Sequence, residues 1–243
     1  LQIFDERFED PKDFTIYLVG NLNVDSLRPS IEKYLGGIPK MKKMKTETWT
    51  DRGIRIADGK VTNRFEREMQ VDKCSNMVVF SGDMAFNLKN SLTLSLIADI
   101  LDIRYFESMR EMEGGTYGVS TRATLNNIPE PQALLQLSFD TDPKLEDRLL
   151  VLIREEIDKL IAEGPLDSDF NKVKENLRNK YSENQKENSW VLSVLFSYYR
   201  YGINYYKDYL PTLDSITKDD ISKTLKSIID QNNEVRVIMS AKR

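Results

Sequence analysis

Six stretches of the chain carry the apolar, β-branched and aromatic residues that are typical of β-strands. One of them ends in Met77-Val-Val-Phe80, and another runs from Phe14 to Val19 before the turn signal Gly20-Asn21. We predict strands at residues 14–19, 60–68, 69–81, 116–125, 132–140 and 235–239.

Apolar residues recur at helical spacing in the segments between and after these strands. In the longest segment, Leu88, Leu92 and Leu96 begin a broad apolar face, and Gly114-Gly115 supplies the stop. We predict helices at residues 25–35, 87–112, 144–163, 167–186, 190–209 and 218–230. Because most strands come first and most helices later, the pattern predicts an α+β fold. Its two layers would be a mixed or mostly antiparallel sheet and helices packed on one face of it.

A polar and basic stretch separates the first strand and helix from the rest. Gly36-Gly-Ile-Pro39 ends the first helix, and four of the residues from 40 to 50 are lysines. This composition is typical of a linker, so we predict a boundary between about residues 40 and 60. The chain opens with Leu1 and not with methionine, which favours a processed or excised part of a longer protein.

Charge and length exclude some partners. The 243 residues, 40% of them hydrophobic, are enough for a buried core, and 35 Lys and Arg against 39 Asp and Glu give a net charge of -4. A nucleic-acid binder normally has a basic excess, so we expect no nucleic-acid partner. No run approaches the ~20 apolar residues that cross a bilayer, so we expect no membrane span.

The chain contains no histidine and one cysteine, Cys74. These counts exclude catalytic triads built on an imidazole, histidine zinc sites, cysteine zinc clusters and an internal disulfide. Chemistry by this chain alone would need carboxylates, Lys, Tyr or Arg, or a bound cofactor. Acid pairs such as Glu155-Glu156 and Asp219-Asp220 lie at predicted helix surfaces or starts, where a solvated face explains them better than catalysis.

One segment, residues 108–120, combines residue types that can act on a peptide. Arg110 falls in the last helical turns, Gly114-Gly115 break the helix, and Tyr117 is the second residue of the next strand. A guanidinium and a phenol at this reversal can converge on one point and donate hydrogen bonds to a peptide carbonyl or an oxyanion. Alternatively, Arg110 only complements the negative end of the helix and Tyr117 is an ordinary strand residue.

The run Arg110-Glu-Met-Glu-Gly114-Gly-Thr-Tyr117 resembles the R-E-x-x-G-x-x-Y signature in the non-catalytic half of the pitrilysin/insulysin-type zinc metallopeptidases, the inverzincins. The likeness covers nearly the whole chain, in order. Residues 14–39 resemble the strand and helix that end one module of that family, and residues 163–190 resemble part of the last module of its large bacterial members. The resemblance implies the C-terminal, non-zinc-binding part of such a peptidase.

The resemblance also implies a division of roles between modules. In that family, one module binds zinc through H-x-x-E-H and a later glutamate, and another module without metal closes over the peptide. Carried over, Arg110 would bind the peptide substrate, and Tyr117 would donate to its carbonyl oxygen in the tetrahedral intermediate. Zinc would belong to a catalytic module of the same parent chain or of a partner subunit, because a chain without histidine has no H-x-x-E-H.

On this interpretation, residues 1–40 are the strand-helix tail of a preceding module, residues 41–60 the linker and residues 61–243 the closing, non-catalytic module. The chain alone would bind no metal and hydrolyse no peptide. Bacterial relatives of the large type are often exported, so analogy points to the periplasm or the exterior of a bacterium.

Two other functions stay open at this point. Some relatives keep the fold without the active zinc motif and serve as structural or regulatory subunits, so a binding or assembly module is the alternative. A free-standing enzyme that uses carboxylates is a more remote third hypothesis.

Overall fold

A computed structural model describes residues 2–8, 14–38, 49–112, 114, 116 and 118–242 of the chain. The chain divides into two compact units. The smaller combines Leu1–Gly53 with Ser182–Gly202, and the larger combines Ile54–Tyr181 with Ile203–Arg243. Part of the predicted linker, residues 41–48, lies outside the described residues, and the division at 1–40, 41–60 and 61–243 stays a prediction.

The larger unit is built on a five-stranded sheet. Its strands are β1 Lys60–Arg67, β2 Cys74–Asp83, β3 Val119–Asn126, β4 Gln132–Thr141 and β5 Asn233–Ala241. Their order is β1-β5-β2-β4-β3; β1 is parallel to β5, and the other neighbouring pairs are antiparallel. This arrangement confirms the mixed, mostly antiparallel sheet of the α+β prediction.

Helices account for most of the rest of the described chain. They are α1 Gln2–Phe8, α2 Val24–Tyr34, α3 Leu88–Tyr105, α4 Glu146–Glu163, α5 Asp167–Asn184, α6 Asn188–Tyr201, α7 Tyr205–Ser215 and α8 Lys218–Ile229. A π-helical turn, Phe106–Met112, continues α3. At the other end of α3, the Asn87 side chain accepts a hydrogen bond from the Asn90 amide at 2.8 Å, which caps the helix where the sequence predicted its start.

Alternate side chains of the central strands form the core with the helices. Val78 and Phe80 of β2 are 2% and 3% exposed, and their β4 partners Leu137 and Leu135 are fully buried. α3 packs against β3 and α8 packs against β2. Met77, on the opposite face of β2, is 39% exposed. The helices of the larger unit therefore cover one face of the sheet, as predicted. Among the described residues of this unit, no helix covers the other face, which we call the open face.

The predicted strand at residues 14–19 is not formed. These residues lie outside any helix or strand, and Phe14, Ile16 and Leu18 are 40%, 49% and 54% exposed. A strand needs a neighbouring strand for its backbone hydrogen bonds, and none of the described strands pairs with this stretch. The prediction failed because the side-chain pattern does not reveal whether a partner strand is present.

The helix predicted at residues 190–209 is wrong as a single element. Gly202 adopts the left-handed conformation, with φ of 71°, and its amide bonds to the Tyr198 carbonyl, which ends α6. The Asn204 side chain then accepts a hydrogen bond from the Lys207 amide at 3.1 Å and starts α7. Gly202 and Asn204 thus divide the predicted helix into two.

Candidate functional site

Arg110 lies in the π-helical turn that follows α3. The turn is anchored on its inner side, because Tyr105 and Met109 are fully buried. The Ser108 hydroxyl also donates a hydrogen bond to the Arg104 carbonyl at 2.9 Å. The Arg110 side chain itself is exposed. Buried neighbours therefore fix the backbone from which an exposed guanidinium projects.

The π-helical turn refines the sequence prediction of one α-helix from 87 to 112. The α-helix ends at Tyr105, and the last seven residues of the predicted span have the wider π geometry. Such turns are rare and occur frequently at functional sites. The hydrophobic pattern predicted a helix here but does not distinguish α from π geometry.

Among the described residues, Arg110 contacts the aromatic ring of Phe106. The Cζ atom of Arg110 lies 4.8 Å from the centroid of the Phe106 ring, within the range of a cation–π interaction. The ring is 42% exposed, so both groups meet at the surface. Phe106 was not predicted as a partner of Arg110, although side chains four positions apart on a helix are neighbours.

Tyr117 lies outside the described residues, so the predicted convergence of Arg110 and Tyr117 stays a prediction. Its two neighbours are described. The Thr116 hydroxyl donates to the Gly118 carbonyl at 3.1 Å and accepts from the Gly118 amide at 3.3 Å. β3 begins at Val119, so the strand start predicted at residue 116 is wrong.

A hydrogen bond joins the helix before and the strand after the segment that carries both predicted substrate-binding residues. The Asp102 carboxylate accepts from the Thr121 amide at 2.7 Å, which ties α3 to β3. Burial raises the pKa of Asp102, and its hydrogen bonds with Thr121 act in the opposite direction. Asp102 was not predicted as a functional residue; the available signal was an acidic residue in a helix that is mostly apolar.

The open face of the sheet holds a shallow depression beside this segment, with a volume of about 710 Å³. Its apolar lining includes Phe65, Met77 and Met239. Thr116 and Gly118, the two neighbours of Tyr117 in the chain, also line it. The segment that contains Tyr117 therefore borders the open sheet face.

The rim of the depression carries a paired carboxylate. Lys73 Nζ lies 2.5 Å from the Asp140 carboxylate. Hydrogen bonds from Lys73 and Ser75 lower the pKa of Asp140. A carboxylate held in its charged form at neutral pH is not a proton donor, so Asp140 is not a candidate general acid.

The described ranges contain neither a cluster of metal-ligating side chains nor a helix that could span a membrane. Within them, no group of three or more His, Cys, Asp or Glu side chains is arranged to hold a metal ion. None of the helices that the structure describes is long and apolar enough to cross a membrane.

Curated relatives are named as proteases. A protein from Arabidopsis thaliana named "Zinc protease PQQL-like" is 27% identical over 210 residues, which are 82% of this chain and 22% of that protein. "Probable zinc protease PqqL" from Escherichia coli is 26% identical over 185 residues, which are 74% of this chain and 19% of that protein. The chain thus spans about a fifth of the length of the relatives it matches.

Solved structures share the fold. The periplasmic protease PqqL from Escherichia coli superposes with a TM-score of 0.73 and 20% identity, over 92% of this chain and 25% of that one. A protease from Helicobacter pylori superposes with a TM-score of 0.82 and 13% identity, over 99% of this chain and 59% of that one. At these identities the likeness concerns the fold alone.

The family itself is identified by a match that covers most of the chain. The model described as "Peptidase M16 inactive domain" matches residues 1–177, which include the Arg110 to Tyr117 motif. The chain therefore belongs to the peptidase M16 family and is homologous to the non-catalytic, non-zinc-binding part of pitrilysin-type proteases.

Proposed function

We propose that this chain is the substrate-binding, closing module of a zinc-dependent endopeptidase. Arg110 binds the backbone of the peptide, and Tyr117 donates a hydrogen bond to the carbonyl oxygen that becomes tetrahedral. The observation that carries the proposal is the complete R-E-x-x-G-x-x-Y motif inside the family match, with Arg110 exposed on a turn whose inner side is buried.

The chemistry of the two side chains suits these roles. A guanidinium is charged at every physiological pH and presents five N–H donors in a plane, which matches the carbonyl groups of an extended peptide. A phenol is a neutral donor at pH 7, and a donor aimed at a developing oxyanion stabilises the transition state more than the ground state. Neither role needs a histidine or a metal on this chain.

Zinc belongs to another module in this proposal. When bound there, the metal polarises the peptide carbonyl and activates water. The described residues of this chain do not fit a zinc site, and the full sequence has no histidine and a single cysteine. The partner module is therefore expected to carry the complete H-x-x-E-H site, either in the same parent chain or in a separate subunit.

Two features of the first 40 residues favour the proposed division of the chain. Residues 14–19 expose an apolar strand-like pattern without a partner strand among the described residues, and α2 has no buried residue. We propose that residues 1–40 complete a preceding module, in which 14–19 pairs with a strand. Hydrogen exchange measures this directly: the amides of 14–19 should exchange fast in this chain alone and slowly when the preceding module is attached. Equal rates in both would contradict the pairing.

The functional test uses a protein in which this chain and a zinc-bearing module are both present. Tyr117→Phe should lower kcat for peptide hydrolysis ~10²-fold or more, as loss of one oxyanion donor does. Arg110→Ala should also lower kcat/KM. Tyr198→Phe is the matched control, because it removes an equally small group from a phenol that is 48% exposed outside the motif. Wild-type kinetics in both motif variants would contradict the proposal.

A binding or assembly module is the second candidate, because a chain without histidine fits either function. The two candidates differ in the rest of the protein. An H-x-x-E-H motif with a downstream glutamate in the preceding module or in a partner favours the enzyme. Its absence there, together with wild-type behaviour of Tyr117→Phe, favours the assembly module.

A further inference from the structure

We infer that Phe106 is a positioning residue for Arg110 and holds its guanidinium in the orientation that donates to the peptide. This inference rests on the proposed function, because it concerns the same arginine. Its observation is the cation–π pair in the π-helical turn, with 4.8 Å between the Arg110 Cζ and the centroid of the Phe106 ring.

The backbone around the pair is fixed from both sides. Tyr105, directly before Phe106, is fully buried, and its hydroxyl donates to the Ile153 carbonyl at 3.2 Å. Met109, directly before Arg110, is also fully buried. Each member of the pair thus follows a residue that is locked in the core. The exposed ring and the exposed guanidinium meet as a consequence of this anchoring.

The type of contact leaves the donors of the arginine available. A ring face attracts the guanidinium through its quadrupole and accepts none of the five N–H groups that lie in the guanidinium plane. A carboxylate partner would instead accept two of them. Among the side chains that the structure describes, no carboxylate forms an ion pair with Arg110, whose partner there is the Phe106 ring. Phe106 therefore orients the charge without competing with a peptide carbonyl.

Orientation matters because the Arg110 side chain is long and exposed. A free arginine side chain loses much rotamer entropy when it binds, and a contact that orders it beforehand reduces that loss. Cation–π pairs at exposed to partly desolvated sites correspond to a change of about 2- to 30-fold in an equilibrium constant. We expect Phe106→Leu to lower kcat/KM by a factor in this range, and less than Arg110→Ala does.

The experiment is a double-mutant cycle in the protein that contains both this chain and the zinc module. An internally quenched fluorescent peptide that the wild type cleaves is the probe. Phe106→Leu should change the same kinetic parameter, kcat or KM, as Arg110→Ala, and should have no further effect in the Arg110→Ala background. Phe106→Tyr and Phe106→Trp keep a ring face and should retain wild-type kinetics. Thermal unfolding of each variant checks that the fold is unchanged.

The outcomes separate this inference from the proposed function. If Arg110→Ala keeps wild-type kinetics, the proposed role of the arginine fails and the inference fails with it. If Arg110→Ala is impaired but Phe106→Leu is not, or if the two effects add, only the positioning role of Phe106 is overturned. Impaired kinetics in Phe106→Tyr equal to those of Phe106→Leu would also overturn it.

Discussion

Asp220, at the start of α8, offers a sharp test of the electrostatics of the fold. Its carboxylate accepts hydrogen bonds from Lys89 Nζ on α3 and from the amide and hydroxyl of Thr217, each at 2.8 Å. Burial raises the pKa of Asp220, but these hydrogen bonds outweigh burial and lower the pKa from 3.8 to about 2. The charged carboxylate thus joins two helices and completes a capping box.

The magnitude follows from the pKa shift. A shift of about 1.8 pH units corresponds to about 2.5 kcal/mol at about 1.4 kcal/mol per unit. The side chains of Lys89 and Asp220 are 46% and 27% exposed, so solvent screening reduces this to about 1 to 1.5 kcal/mol. Asp220→Asn keeps an oxygen that accepts from Thr217 and removes the charge, so it should lower the free energy of unfolding by this amount at pH 6.

The direction of the pKa shift determines how the stabilisation by Asp220 changes with pH. A lowered pKa stabilises the fold above the unfolded-state pKa, and this stabilisation is lost as the pH falls toward 2. Urea unfolding of wild type and Asp220→Asn from pH 6 to pH 2.5 should show a difference that shrinks below about pH 4. Asp219→Asn is the control, because that carboxylate is 68% exposed and pairs with an exposed Lys223. A difference that does not vary with pH, or an equal effect in the control, would refute the reasoning.

Other predictions follow from single contacts. Leu101→Ala should lower the free energy of unfolding by about 2 to 5 kcal/mol, because Leu101 is fully buried, whereas Leu166→Ala, at a 62% exposed position, should change it little in the same urea titration. Burial raises the pKa of Asp99, so its ionisation costs stability at neutral pH; Asp99→Asn should raise the urea midpoint at pH 7 and less so at pH 3, and no gain at pH 7 would contradict this. Gly82→Ala places a Cβ 2.6 Å from the Gln231 side-chain nitrogen and should displace the hydrogen bond that the Asp83 amide donates to Gln231. The resulting loss of thermal stability should largely vanish in a Gln231→Ala background, and additive losses would contradict the contact.

Much of the fold was predictable because its local signals agree with its packing. Alternation in β2 and β4 places Val78, Phe80, Leu135 and Leu137 on the buried face, as the sequence pattern indicates. Asn87 caps α3 at the predicted start. Where the prediction from the sequence was wrong, the structure depended on contacts with residues distant in the chain. Residues 14–19 have the composition of a strand but no partner strand among the described residues.

The candidate site was predictable in part. The motif identified Arg110 and Tyr117 by residue type and spacing, and the structure places Arg110 on an anchored, exposed turn. The contact with Phe106 and the hydrogen bond from Thr121 to Asp102 needed coordinates. The first depends on the π-helical turn, which apolar spacing does not predict, and the second joins residues on different elements.

The central claim is that this chain supplies donors, and no metal, to a zinc peptidase. Its most direct test is complementation: this chain and the zinc-bearing module are produced separately, and hydrolysis of a quenched fluorescent peptide is measured for each and for the mixture. We predict no hydrolysis by this chain, zinc-dependent hydrolysis by the mixture that chelation abolishes, and a loss of ~10²-fold or more when the chain carries Tyr117→Phe. Hydrolysis by this chain alone that survives chelation, or an unchanged rate with Tyr117→Phe, would contradict the account.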